Sequence, residues 1–176
     1  MYLNDSKLQA MAGSDSLIVI PDEFKDLITT SDVDRFQPAS VELHLHPVLL
    51  IQQKAGDFKE HDLRKKQLTL KNGDFVIAST VEVVNIPADH LARVEGKSSN
   101  ARVGLLVHCT GGFIDPGFTG QITLEIALVG KAPVTLEAFK KVAQLAVAEC
   151  YLARFPYGHE RRASKYLDQL GATVAR

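Results

Sequence analysis

Three stretches carry residues whose types and spacing could do chemistry, and all fall between positions 95 and 125. The first, Glu95-Gly96-Lys97-Ser98-Ser99-Asn100-Ala101-Arg102, sets two cations and two hydroxyls behind a glycine. Backbone N–H groups, hydroxyls and cationic side chains converging at one bend suit an anion, phosphate above all. The GxxxxGK[ST] spacing of a P-loop is missing, and taken alone such a stretch is more often a solvated turn. The second, Thr110-Gly111-Gly112-Phe113-Ile114-Asp115-Pro116-Gly117-Phe118-Thr119-Gly120, surrounds Asp115 with glycines. Glycine lets a backbone approach a ligand closely or take positive φ, though Asp-Pro-Gly is also a plain turn. The third, Ile122-Thr123-Leu124-Glu125-Ile126-Ala127-Leu128, alternates so that Ile122, Leu124, Ile126 and Leu128 share one face of a strand. Thr123, Glu125 and Ala127 share the other, which leaves Glu125 a lone carboxylate on a small, uncharged face. If that face lines a pocket, Glu125 is placed to act as a general acid–base; if it meets solvent, it has no special role.

Other chemistries lack their residues. Zinc nucleobase deaminases need an H-x-E and a P-C-x-x-C element to hold and use zinc-bound water, and neither is present. His44-Leu45-His46 offers two imidazoles without an evident third ligand, so a solvent-facing or structurally bonded pair is expected there. No G-x-S-x-G and no Ser-His-Asp arrangement is evident. The net charge of −1 argues against a broad basic surface for direct nucleic-acid binding, so an anionic partner must be met by a local cluster. Cys109 and Cys150 form neither a disulfide framework nor a CxxC pair, which fits a reducing, cytoplasmic setting. The N-terminus lacks the pattern of a signal peptide. No apolar run approaches the roughly 20 residues of a membrane helix.

The elements that must position these residues read as β. A chain of 176 residues with 45% hydrophobic content supports one domain with a real core, spanning 1–176. A short helix is expected over 3–11, with Asn4 or Asp5 as N-cap and Leu8 and Met11 facing inward. Residues 16–20 form a β-branched run stopped by Pro21. After an extended turn at 36–40, Val41, Leu43 and Leu45 alternate with Glu42, His44 and His46, as in a half-buried strand. The charge-rich stretch 53–66 reads as a solvated loop. Asn72-Gly73 between the apolar runs 68–70 and 75–78 predicts a hairpin. Further strands are expected at 81–86, 103–108, 122–129, 134–136 and 142–151. Short spacing between turn signals favours an all-β sandwich or barrel over βαβ units. From composition alone, the polar, basic segment 155–176 is a terminal tail.

Taken together and in order, these stretches resemble the dCTP deaminase/dUTPase superfamily. The likeness rests on Glu95-Gly-Lys-Ser-Ser-x-x-Arg102-x-Gly-Leu, on Thr110-x-Gly-Phe-Ile-Asp-Pro-Gly-Phe-x-Gly120 and on Ile122-Thr-Leu-Glu125. It extends to Gln37-Pro38-Ala39-Ser40-Val41-x-Leu43, Gln144, Pro156-Tyr157-Gly158 and Ser164-Lys165-Tyr166-x-x-Gln169. It is sharpest to the bifunctional, dUMP-forming dCTP deaminases, towards which Lys97 and Gly112-Phe113 tilt the comparison. The resemblance implies a distorted jelly-roll or β-barrel of the dUTPase-like type, with short helices, and a homotrimer with active sites between subunits. It also implies that the tail 155–176 is a flexible segment that closes over the nucleotide.

By the same resemblance, Lys97, Ser98, Ser99 and Arg102 would hold the triphosphate or order the catalytic site. Asp115 would accept from the sugar 3′-hydroxyl, and Thr123, Leu124 and Glu125 would meet the pyrimidine. Gln144, Tyr157, Lys165 and Gln169 would be further nucleotide contacts. Glu125 would be the acid–base, with Ser98 and the Gly111 carbonyl positioning the attacking water. Mg²⁺ would enter with the triphosphate, and zinc would play no part.

Some positions depart from the family pattern. Thr110-Gly111 stands where Thr-Ala is usual, which could enlarge the pocket for a 5-substituted cytosine such as that of 5-methyl-dCTP. Ala138-Phe139 replaces a Pro-Gly turn before Gln144, and Asn100-Ala101 replaces Leu-Gly or Leu-Ala before Arg102. The alternatives to a dUMP-forming enzyme are a deaminase that stops at dUTP, a dUTPase, and a non-catalytic nucleotide-binding regulatory homologue.

Overall fold

A computed structural model describes residues 1–14, 17–28, 31–54 and 56–175. In chain order its elements are helix α1 (Asp5–Ser14), strand β1 (Ile18–Val19), a 3-10 turn (Asp22–Leu27), α2 (Asp32–Arg35), β2 (Phe36–Gln37), β3 (Ser40–His44), β4 (Val48–Gln52), β5 (Phe58–Asp62) and β6 (Leu68–Leu70). There follow β7 (Phe75–Asn85), β8 (His90–Gly96), α3 (Ser98–Arg102), β9 (Leu105–Leu106), β10 (Phe113–Ile114), β11 (Thr119–Leu128), β12 (Val134–Leu136) and β13 (Lys141–Glu149). One sheet runs β5-β4-β7-β11-β9 with β1 also on β7, a second runs β10-β8-β13-β3-β2, and β12 and β6 form a ribbon.

The two sheets face each other across one core. Val41, Leu43, Ala92, Val94, Leu145 and Val147 from one sheet share a buried cluster with Leu49, Val76, Ala78, Leu124, Ile126 and Leu128 from the other. Alternate positions of facing strands interdigitate in this way in a sandwich. The expected jelly-roll-like, mostly β architecture with few short helices is what the chain adopts. α1 packs against it as expected: Asn4 Oδ1 accepts the Lys7 N–H at 3.1 Å, and Leu8 is fully buried. The helix continues past the expected end, to Ser14. Of the β run expected at 16–20, Ile18 and Val19 pair with β7, while Ser16 lies outside the described residues.

Several expectations are corrected. The Asn72-Gly73 turn exists, but it does not close a hairpin between its flanking runs. β6 pairs with β12 and β7 pairs with β4 and β11. Gly73 N–H bonds to the Leu128 carbonyl at 2.8 Å, so the turn hands the chain from the ribbon to the large sheet. The supposed loop at 53–66 contains β5, which pairs with β4 along its whole length. It is an edge strand, and edges tolerate the polar side chains that disguised it. β8 was not anticipated, and the run expected at 103–108 is strand only at Leu105–Leu106.

β3 is not half-buried. Glu42 and His44 on its polar face are 5% and 2% exposed, and each has a side-chain partner of opposite kind, half-buried Lys97 for Glu42 and buried Glu82 for His44. His44 Nδ1 lies 2.6 Å from Glu82 Oε1, and the His44 backbone N–H donates to Glu82 Oε2 at 2.9 Å. The other imidazole, His46, packs edge-on against Phe24, and burial lowers its basicity. Both histidines are bonded structurally, as expected of them.

The segment after α3 is locked to the end of β11 by a backbone crossing. The Val129 N–H donates to the Gly104 carbonyl at 2.9 Å. A Cβ on Gly130 would lie 2.1 Å from the Val103 carbonyl oxygen, which no small adjustment relieves. Gly130→Ala should therefore cost on the order of 2–4 kcal/mol of stability, read as a lowered urea midpoint. A wild-type midpoint would contradict the close approach.

Candidate active site

Glu125 stands on the half-exposed face of β11, and that face is a cavity wall rather than open surface. The cavity measures about 360 Å³ and is lined by Gly111, Asp115, Thr123, Glu125, Tyr157 and Gln169 with the apolar Ile77, Phe113, Ile114, Phe118 and Ile122, and on the tail side also by Tyr166, Thr173 and Ala175. Predominantly apolar walls with a few convergent polar groups are the usual make-up of a small-molecule site. Glu125 Oε2 is buried with no hydrogen-bond partner. A Cβ on Gly111 would sit 3.7 Å from each Glu125 carboxylate oxygen, so the absent methyl leaves free space directly over the carboxylate.

A slip in the ladder shapes this wall. β11 pairs with β7 through Gln121↔Val83 and then Thr123↔Ser79. At the slip, the Ile122 N–H goes to Thr80 Oγ1 at 3.0 Å. Ile122 is in the core, as alternation assigns it, and at this slip it also borders the cavity beside Thr123.

The tail supplies the opposite wall. The Asp168 N–H donates to the Thr119 carbonyl at 2.8 Å, and the Gln121 N–H donates to the Gln169 carbonyl at 2.9 Å. Gln169 Nε2 donates to the Gln121 carbonyl at 2.9 Å and to Thr123 Oγ1 at 3.1 Å, while its Oε1 is buried without a partner. The Tyr157 hydroxyl accepts the Tyr166 N–H at 2.9 Å. Gly117, at φ +89°, receives this chain crossing: a Cβ there would meet the Tyr157 carbonyl oxygen at 2.6 Å. Of the two uses the sequence offered for these glycines, Gly117 takes the positive φ, and the space it leaves is filled by the tail.

Other residues implicated by sequence do not line this cavity. Ser98, Ser99 and Arg102 are exposed on α3. The Lys97 ammonium donates to both carboxylate oxygens of Glu42. The Gln144 amide bridges the Ser40 hydroxyl and the Gly96 carbonyl, at 3.1 and 3.4 Å. The Leu124 side chain is wholly in the core, so only its main chain is available to a ligand. Lys165 is exposed on the tail. Sequence reasoning missed Glu42, Gln121 and Tyr166: the first two sit in strands where only the ladder reveals their partners, and Tyr166 fell inside the tail motif without a role.

Cys109 lies beside the catalytic candidate, its Sγ donating to the Glu125 carbonyl at 3.4 Å. Burial, and then the Glu125 charge, push its thiol above the ordinary value, which keeps it protonated and a poor nucleophile. Among the described residues no group of three or more His, Cys, Asp or Glu is placed to hold a metal ion, and no helix is long and apolar enough to cross a membrane.

A family model described as dCTP deaminase-like matches residues 19–150. A protein of Methanosphaera stadtmanae named dCTP deaminase, dUMP-forming, is 39% identical, with 88% of this chain and 74% of that one covered. One of the same name from Halobacterium salinarum is 37% identical, covering 100% and 94%. A protein of Halorubrum lacusprofundi named dCTP deaminase is also 37% identical, covering 100% and 91%. Among solved structures, 2′-deoxycytidine 5′-triphosphate deaminase from Agrobacterium tumefaciens superposes with a TM-score of 0.67 at 23% identity, covering 83% of this chain and 47% of that one, so this chain spans about half its length. A mutant dUTPase from phage phi11 of S. aureus gives 0.52 at 12% identity, covering 76% and 90%. At such identities the two structural likenesses speak to the fold.

Proposed function

From the premise that this chain belongs to the dCTP deaminase-like family, we propose that it deaminates dCTP without zinc and couples that step to pyrophosphate release, giving dUMP in the cytoplasm. Glu125 carries this reading. Its carboxylate faces an apolar cavity, with one oxygen buried and unbonded. A buried acceptor without a donor is costly unless a ligand or water supplies one.

In the proposed mechanism Thr123 and Glu125 face the pyrimidine, and Asp115 accepts from the 3′-hydroxyl. Water, positioned by Ser98 and the Gly111 carbonyl, bonds through oxygen to C4 while Glu125 takes its proton. Glu125 passes that proton to the ring nitrogen, then carries the proton of the new C4 hydroxyl to the departing amino group, and the C4–N bond breaks to release ammonia and leave the C4 carbonyl. A second water attacks the α-phosphorus and expels pyrophosphate. Ser98, Ser99 and Arg102 do not line the cavity that contains Glu125. A homotrimer in which α3 of one subunit completes the neighbour's site accounts for that separation. Mg²⁺ belongs to the substrate, bound through triphosphate oxygens and water.

Incubation with dCTP and Mg²⁺, followed by chromatography, should give dUMP with ammonia and pyrophosphate in equal amounts. Accumulating dUTP would reassign the chain to deaminases that stop there, and absent ammonia with intact dCTP binding would make it a silent homologue. The space over Glu125 favours one refinement, tolerance of a 5-methyl group on cytosine. Gly111→Ala fills that space at ordinary contact distance, so it should fold normally and lower turnover of 5-methyl-dCTP relative to dCTP. A wild-type enzyme inactive on 5-methyl-dCTP would remove the refinement.

A further inference from the structure

Lys97 reads from sequence as a phosphate-seeking cation, yet its ammonium is held by a buried carboxylate. Glu42, on β3, is 5% exposed and accepts from Lys97 through both oxygens. Beside this pair, Gln144 stands directly across the ladder from Glu42 on β3 and from Glu95 on β8. Its amide ties Ser40 to the Gly96 carbonyl. Farther along, Asn100 Nδ2 donates to the Val142 carbonyl at 3.0 Å. Side chains of β3, β13 and α3 therefore staple residues 96–100 to the β10-β8-β13-β3-β2 sheet. Lys97 occupies the N-cap position of α3 in extended conformation with no side-chain cap, so these contacts, and not capping, set how the helix starts.

Removing the cation from a carboxylate this deeply buried is strongly destabilising. A Lys97 that swung out to a phosphate would strand Glu42. The pair is also neutral as a unit and attracts a triphosphate weakly, whereas Arg102 is exposed on the same helix and forms no ion pair among the described residues.

We propose that Glu42 is a positioning residue of the active site, and that Lys97 works through it: together they brace the start of α3 and fix where Ser98, Ser99 and Arg102 point. Lys97 is then not a phosphate ligand. The kinetic consequences rest on the dCTP deaminase reading; the brace itself does not.

Two measurements on Glu42→Gln, Lys97→Gln and the double variant test this. Hydrogen exchange, which needs no substrate, should show the amides of residues 97–102 exchanging about tenfold faster or more in each single variant, with the rest of the sandwich unchanged. In dCTP turnover, each single variant should lower kcat by about tenfold or more. KM and its salt dependence should stay near wild type, and the double variant should be no worse than Lys97→Gln, as two partners of one interaction require. Unchanged exchange in both single variants would overturn the brace. So would a Lys97→Gln variant with raised, salt-insensitive KM beside a Glu42→Gln variant of normal kcat. Should Glu42→Gln fail to fold, exchange and the kcat–KM split in Lys97→Gln decide alone. A wild-type protein that turns over no dCTP would defeat the functional reading and leave the exchange result to judge the brace.

Discussion

Replacing Glu125 with Gln is expected to abolish ammonia release, with a loss on the order of 10²–10⁴-fold, the range that a positioned general acid–base supplies. The amide nearly matches the carboxylate in volume, so the cavity keeps its shape and its apolar walls. What changes is proton affinity: an amide can neither pass the proton of the attacking water to the ring nor carry the C4 hydroxyl proton to the leaving ammonia. Nucleotide binding should stay within a few-fold of wild type, because Asp115, Thr123 and the tail are untouched. Glu125→Gln with near-normal deamination would take Glu125 out of the chemistry, and lost binding with a retained rate would make it a recognition residue only.

Truncation after Phe155 is expected to raise KM for dCTP by roughly tenfold or more, about 1.4 kcal/mol of binding for each factor of ten. The cut removes Tyr157, Tyr166, Gln169, Thr173 and Ala175 from the cavity wall, leaving Glu125 open to solvent. The sandwich should survive, since the main core cluster contains no residue beyond Val147. Gln121 also keeps its bond from Nε2 to the Val81 carbonyl at 2.9 Å. Far-ultraviolet circular dichroism and thermal midpoint should therefore change little. An unchanged KM would show that the tail does not cover the nucleotide; a collapsed midpoint would show that it belongs to the core.

The parts of this fold written in local pattern were legible. Alternation placed Leu124, Ile126 and Leu128 in the core and turned Thr123 and Glu125 the other way, and Asn4 announced α1. What was illegible depends on contacts distant in sequence. An Asn-Gly turn predicts a reversal but not its partner, so Leu68–Leu70 was paired with the wrong strand. β5 looked like a loop because an edge strand can carry Lys59 and Glu60 outward. The Lys97–Glu42 pair spans β3 and the end of β8, and no local rule distinguishes it from two solvated charges.

The site divides the same way. Glu125 could be singled out from strand periodicity, but whether its face met water or a cavity depended on the fold. Tyr157 and Gln169 looked like residues of a polar terminus until the family resemblance suggested otherwise, and their bonds to β11 and to Tyr166 are main-chain and amide contacts that composition cannot reveal. The ladder slip between Gln121 and Thr123 arises on β7, at Thr80 and Glu82, far along the chain from the residues it repositions.

The central claim, one enzyme delivering two waters to dCTP, is tested most directly by running the reaction in water enriched in heavy oxygen and weighing the nucleotide product. The account predicts dUMP carrying one heavy oxygen on C4 of the base and one on its phosphate, with none in pyrophosphate. Label in the pyrophosphate, dUMP labelled on the base alone, or a product that remains dUTP would contradict it.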